Sequence, residues 1–183
     1  MHDETSLLER AREYDQAALS EIYDLYSRKI HSYIYRRLGD VHLAEDLTAE
    51  VFLKMLEAAQ SRKFARTSLS AWLYRIAHNL VVDHFRSQPQ SEVEPWDERL
   101  RAAVDDPTVV VEAKLAQQGL RAALSHLTQE QQQVIVLRFG EGLSAPQVAG
   151  VLGKSEGAVR ALQHRALGTL RRTMGGKRHE PGF

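Results

Sequence analysis

The chain has 183 residues, no cysteine, 43% hydrophobic residues, and 24 basic side chains against 24 acidic ones. That length makes one ordinary domain or two small ones with modest cores, and the missing cysteines exclude disulfide frameworks, thiolate zinc sites and cysteine nucleophiles. Zero net charge argues against a protein that coats nucleic acid on its own, because counterion release needs a local excess of cations.

The zero is a sum of opposites. From Glu92 to Glu112 the acids Glu92, Glu94, Asp97, Glu98, Asp105, Asp106 and Glu112 face only Arg99 and Arg101, whereas from Lys154 to Arg178 the single acid Glu156 stands among Lys154, Arg160, Arg165, Arg171, Arg172, Lys177 and Arg178. The start MHDETSLLER is acidic and polar, and no run reaches about 18 apolar residues. Neither a signal peptide nor a membrane span is expected, and a cytoplasmic location follows as the default.

Ala18, Ile22, Leu25, Tyr26, Tyr33, Ile34 and Leu38 recur at helical spacing, predicting one long amphipathic helix ended by Gly39. A second helix is expected from about Leu43 to Gln60 and a third from about Leu69 to Phe85, making an antiparallel helical bundle. On the second, Asp46, Glu50, Leu53 and Glu57 fall within a narrow arc beside Phe52. Acids flanking an exposed leucine suit docking on a basic protein surface; a solvated acidic face is the plainer alternative.

On the third helix Leu69, Leu73, Ile76 and Leu80 form the expected buried stripe, which Trp72 borders and Asp83 joins through an internal hydrogen bond. Arg75, His78, Asn79, Val82 and Arg86 gather on the opposite, cationic side. Just before it, in SRKFARTS, Arg62, Lys63 and Arg66 surround Phe64, a mixture that suits stacking an unpaired base above a phosphate track. Basic loops without such a role are also common.

Pro89, Pro95 and Pro107 then mark a linker between two helical segments. A short helix in WDERLRAAV, docking Trp96 on a neighbour, is a possible element within it. Further on, VIVLRFGEGLSA admits two readings: a β-branched strand leading into a phosphate loop, or a buried helix ending in a turn. A strand would need partners, and no other segment alternates with period two. A dinucleotide loop would also want an acid about 20 residues onward, where Arg160 to His164 stand instead, and Pro146 occupies the place of a cradling amide. Thr128 and Gln131 instead form a capping-box pattern for a helix from Gln129 to Phe139, ended at Gly140.

The segment after Gly142 fits a helix-turn-helix. Ser144 caps a short helix with Pro146 in its first turn and Gln147 at the box position; the helix ends at Leu152, Gly153 turns, and Ser155 caps the next helix near Glu156. Ala149 permits close approach, while Val159 and Leu162 close the core. Glu156, Arg160 and His164 share one face with Gly157, Ala161 and Arg165 alongside, free to enter a major groove. Arg165, Arg171 and Arg172 can take phosphates. Readout would rest on Glu156 and Arg160, through cytosine and guanine edges respectively. A structural helical hairpin that binds nothing shares the same local pattern. A carboxylate-bridged metal bundle does not fit, because none of the eight histidines has Glu three residues before it.

Taken together, AEDLTAEVFLKMLE, LSAWLYRIAHNLVVDHFRS and LTQEQQQVIVLRFGEGLSAPQVAGVLGKSEGAVRALQHRALGTLRR resemble, in order, the polymerase-docking helix, the minus-ten and melting helix, and the minus-thirty-five reader of bacterial sigma factors of the extracytoplasmic-function (ECF) group. The resemblance spans roughly residues 15–174 and implies an all-α protein of two small helical domains: region 2 at 1–87, a flexible linker at 88–111, region 4 at 112–175, and a tail at 176–183.

It implies that Asp46, Glu50, Phe52, Leu53 and Glu57 meet the clamp helices of the polymerase β′ subunit, where Ala49 replaces the family's frequent Gln. Arg62, Lys63, Phe64, Arg66, Arg75, His78, Asn79 and Arg86 would handle the minus-ten strand, with one base flipped into the loop. Lys154, Ser155, Glu156, Gly157, Arg160, Ala161, His164 and Arg165 would read the minus-thirty-five element. The implied partners are core RNA polymerase (the β′ clamp helices and the β flap), promoter DNA and an anti-sigma factor, with no cofactor, no enzymatic step and no membrane insertion. The acidic linker would thread toward the polymerase RNA path. The rival reading is a self-sufficient dimeric helix-turn-helix repressor, which binds a palindrome without polymerase.

Overall fold

A computed structural model of the chain describes residues 4–61, 63, 68–88, 119–120 and 122–175. Arg62, Phe64 and Arg66, the expected linker beyond Gln88 with Trp96, and the tail at 176–183 lie outside the described residues. The chain divides into two compact units. Among the described residues the regular structure is entirely helical.

The first unit contains α1 (Glu4–Arg12), α2 (Gln16–Leu38), α3 (Val41–Gln60) and α4 (Leu69–Ser87). Asp15 starts α2 by accepting from the amides of Ala17 and Ala18 at 2.9 and 3.3 Å. Gly39 stops it in the left-handed conformation, φ 71°, and its N–H returns to the Tyr35 carbonyl. Asp40 immediately caps α3 through the Leu43 amide at 3.0 Å. One helix therefore ends and the next begins within two residues, which folds α3 back against α2.

The long helices α2, α3 and α4 all pack on one another, and α1 lies against α2 and α3. Ile22, Ile30 and Ile34 from α2, Val51 and Met55 from α3, and Leu69, Leu73 and Val81 from α4 are buried at the centre. Burying each such side chain contributes about 1.5–3 kcal/mol. Sequence periodicity gave no sign of α1, whose nine residues bury only Leu7, Leu8 and Ala11. Leu25, expected inside, is exposed.

The buried face of α4 differs from the expected stripe in a way that one rotation explains. Leu69, Leu73, Tyr74, Ala77, His78 and Val81 are buried, while Ile76 and Leu80 are only partly covered. At 3.6 residues per turn this moves the centre of the buried arc by roughly 80°. Tyr74 and His78 turn inward, and Asp83, expected on the core side, turns outward to an exposed ion pair with Arg86 at 3.7 Å. The cause is packing on two sides, since α4 touches both α2 and α3 and needs a wider buried arc than a single apolar stripe supplies.

In the second unit, residues 122–125 are helical and lead to α5 (Gln129–Ile135), a π turn (Val136–Gly140), α6 (Ala145–Leu152) and α7 (Glu156–Gly175). Thr128 and Gln131 make the expected reciprocal capping box, as do Ser144 and Gln147. Val134, Leu137, Leu143, Val148, Val159 and Ala166 are buried together. The helix expected to run regularly to Phe139 instead widens at Val136, where the Glu141 N–H reaches back to the Val136 carbonyl at 3.0 Å. The wider turn places Leu137 in the core and leaves Phe139 58% exposed.

Candidate protein and nucleic-acid interfaces

On α3, Asp46, Leu53 and Glu57 are exposed, Glu50 is half-buried, and Leu53 at 58% exposure is the most open apolar side chain of the stripe. Glu50 pairs with Lys54 at 3.5 Å, one turn along the same helix. Among the described residues no ion pair engages Asp46 or Glu57, so the stripe keeps two uncompensated carboxylates beside an apolar side chain. Ala49 is exposed between them.

Phe52 does not belong to that surface. It is 4% exposed and meets Tyr23 edge to face, with ring centroids 4.8 Å apart. Its place beside Leu53 in the sequence suggests the interface, but the helix turns it inward against α2. Its structural role is to support Tyr23, which is half exposed and borders the stripe. Tyr23 lies off the apolar face of α2, so periodicity does not single it out. An aromatic residue one position after buried Ile22 was the available signal.

Along α4 the structure keeps Arg75, Asn79 and Arg86 on one exposed face, with Val82 partly covered beside them. Lys63, also exposed, donates its backbone N–H to the Ala58 carbonyl at 2.9 Å, holding the chain close to the end of α3. Arg62, Phe64 and Arg66 lie outside the described residues.

His78 leaves the cationic face altogether. It is 9% exposed, and its Nδ1 accepts from Arg37 Nη1 at 2.9 Å and lies 3.2 Å from the Tyr33 hydroxyl. Arg37 also donates to Tyr33 at 3.3 Å. A guanidinium offers donors only, so the imidazole must present a lone pair at Nδ1. The group ties α2 to α4 beneath the exposed face and fixes that face's orientation. Tyr33 and Tyr74 add an edge-to-face contact at 5.4 Å.

The beginning of α4 carries a feature that sequence spacing does not disclose. Ser68 caps it through the Ala71 amide, and the carboxylate of Glu4 accepts from the Leu69 N–H at 2.8 Å. Burial and the Glu4 carboxylate push the nearby Tyr26 phenol up, against a hydrogen bond from Ser70 that pulls it down. Glu4 is distant in sequence, so no local pattern announces it.

In the second unit, Gly153 takes φ 62° and Ser155 caps α7 through the Ala158 amide at 3.1 Å, so α6 and α7 form a helix-turn-helix. Ala149, Val159 and Leu162 are buried between elements as their spacing predicts. Ser155, Glu156, Gly157, Arg160, Ala161, His164 and Arg165 are all exposed.

Lys154 is partly covered and bonds Glu130 of α5 at 2.5 Å. Arg160 is held by Glu156 one turn earlier, with Nε 3.0 Å from Oε1. Arg138, in the π turn, donates to the Leu143 carbonyl at 2.5 Å and to the Gln163 side chain of α7 at 2.9 Å. It thereby braces α7 against the loop before α6. Nothing in the spacing pointed to Arg138, since its position depends on the extra residue in that turn.

Among the described residues no helix is long and apolar enough to cross a membrane. The Sigma-70 region 2 family model matches residues 22–90 and the Sigma-70, region 4 model matches residues 123–172. The chain is 39% identical to the ECF RNA polymerase sigma factor BldN of Streptomyces coelicolor over 92% of its own length, and spans 64% of BldN. It is 31% identical to the ECF RNA polymerase sigma factor SigX of Bacillus subtilis, covering 84% of this chain and 81% of SigX. The fold is similar to CnrH, solved in complex with the cytosolic domain of CnrY, with a TM-score of 0.63 at 22% identity and coverage of 94% and 97% of the two chains. With both region models matched in order along one chain, the protein belongs to the ECF group of RNA polymerase sigma factors, the proteins that direct promoter-specific transcription initiation.

Proposed function

We propose that this chain acts in the cytoplasm by binding core RNA polymerase and placing it at promoters that carry matching minus-ten and minus-thirty-five elements. Region 2 occupies 1–87 and region 4 occupies 112–175, with 88–111 as the tether and 176–183 as the tail. The chain itself performs no catalytic step; the polymerase makes the phosphodiester bonds. Two observations carry most of this reading: a surface of open carboxylates around Leu53 in one unit and an exposed helix-turn-helix in the other.

Asp46, Glu50, Leu53 and Glu57 dock on the β′ clamp helices, with Tyr23 at the edge and Phe52 supporting from beneath. Arg75, Asn79 and Arg86 follow the melted minus-ten strand, while Arg62, Lys63, Phe64 and Arg66 receive a flipped base, whose lost stacking a stacking surface and cations offset. His78 serves this strand only through the helix it anchors. The second unit meets the β flap and reads the minus-thirty-five groove through α7, where Gly157 and Ala161 permit close approach and Arg165, Arg171 and Arg172 take phosphates. An anti-sigma factor would act by covering these same faces; CnrH, which shares the fold, was solved bound to the cytosolic domain of CnrY.

Two weak modules on one tether gain from each other's effective concentration once polymerase holds both. Near-neutral net charge suits that arrangement, because the free protein then binds DNA poorly. In vitro transcription with core polymerase and a promoter library tests it: the protein should confer initiation at a defined subset of promoters. Tight binding to a palindrome by the protein alone, with no initiation when core polymerase is added, would replace this function with that of a repressor.

A further inference from the structure

The ion pair on the exposed face of α7 gives its two members different tasks. Glu156 precedes Arg160 by one turn, and its Oε1 accepts from both Nε, at 3.0 Å, and Nη2 of Arg160. Those two donors make one edge of the guanidinium. The opposite edge, formed by Nη1 and the second Nη2 proton, is left as a two-donor fork. Such a fork is what the O6 and N7 acceptors of guanine require.

The neighbourhood offers the guanidinium little else. Gly157 and Ala161, beside it on the helix, are small and exposed, His164 lies one turn on, and Lys154 is engaged by Glu130. Glu156 in turn stands in the first turn of α7, where the helix dipole favours a negative charge, and the Glu-before-Arg order is the better orientation for a pair one turn apart. The two charge-assisted bonds from Arg160 converge on Oε1, so the carboxylate is oriented by the pair and only Oε2 is left to accept from another donor. An exposed pair of this kind adds little to folding, so its value lies in orientation.

We infer that Glu156 is a positioning residue that presents the free fork of Arg160 to a guanine, rather than a reader of its own base. This rests on α7 being the groove-reading helix proposed above. The two residues then specify one base pair between them, and Glu156 acts only through Arg160.

Holoenzymes assembled from core polymerase and each variant, used to select sites from DNA randomised across the minus-thirty-five element, test this. Arg160→Ala should erase a guanine preference at one position. Glu156→Ala should weaken the preference at that same position by about tenfold, and Glu156→Gln should retain part of it, because the amide oxygen still accepts. The double variant Glu156→Ala, Arg160→Ala should match Arg160→Ala alone. Thermal melting of each variant checks that α7 remains folded.

If Glu156→Ala changes a different base pair, adds to the effect of Arg160→Ala, or leaves the guanine preference intact, the positioning role is overturned while groove reading by α7 stands. If Arg160→Ala changes no preference, α7 is not the reader and both proposals fall together.

Discussion

The charged surfaces of the two units are prepared in opposite ways. On α3, Asp46 and Glu57 face outward without ion pairs among the described residues, and Leu53 stands open between them. On and around α7 several charges are already engaged, Lys154 with Glu130, Arg160 with Glu156, and Arg138 with Gln163 and the Leu143 carbonyl, while Arg165 and Arg171 stay exposed. The difference suits the roles proposed for the two surfaces. A face that grips a basic protein gains from open charge, which steers encounter and rejects wrong partners. A face that reads bases gains from fixed direction, since each hydrogen bond to a base edge needs a donor aimed in advance.

The largest expected effect comes from reversing the open charge. Asp46→Arg should lower core polymerase affinity by at least about 100-fold, because like charges juxtaposed across an interface cost several kcal/mol. Fluorescence anisotropy with labelled protein measures this, and unchanged circular dichroism confirms an intact fold. Unaltered affinity would show that the open acids are merely solvated.

Removing a fixed charge should act on folding instead. Arg138→Ala takes away charge-assisted bonds to a loop carbonyl and to Gln163, and should destabilise the second unit by roughly 2–3 kcal/mol. Chemical denaturation monitored by the loss of helicity reports it. A fully stable variant would mean that α7 is braced by apolar packing alone.

His78 tests whether the first unit also contains fixed polar groups, hidden below its open face. His78→Ala removes the buried acceptor that Arg37 and Tyr33 share and should cost about 1–3 kcal/mol of stability. Minus-ten binding by the folded fraction should stay near wild type, whereas a large loss at full folding would return His78 to the DNA face.

The smallest effect concerns Asp15, where the first unit pairs charges at a helix start. Hydrogen bonds from Arg10 and from the α2 amides hold its carboxyl below the ordinary aspartate range. A carboxyl whose pKa is lower folded than unfolded adds stability that is fully present above about pH 4. That contribution fades as pH falls through the depressed value. Asp15→Asn, which still caps but does not titrate, should flatten the acid side of the stability profile in pH-dependent melting. An unchanged acid side would show that Arg10 contributes nothing through this contact.

Local punctuation was legible without coordinates. Gly39, Thr128 with Gln131, Ser144 with Gln147, and the Gly153–Ser155 turn each satisfy helix-end amides or carbonyls within a few residues, so spacing alone discloses them. Several departures from the sequence pattern were decided by a partner far along the chain. Glu4 caps α4, Phe52 turns toward Tyr23, and His78 meets Arg37 across two helices. The rotation of α4 belongs to the same class, because a helix covered on two sides does not show its true buried arc in one apolar stripe.

By itself, then, the sequence determined the capped starts and glycine stops of most of the helices, that they sort into two units, and which residue types lie on α3 and α7, because capping and periodicity act over one or two turns. Only the tertiary structure decided which side of each helix stays dry, that the helix before the turn widens at Val136, and which charges are spent on one another. Those outcomes depend on packing against neighbours remote in sequence, and that packing selects among faces that local propensity leaves nearly equal.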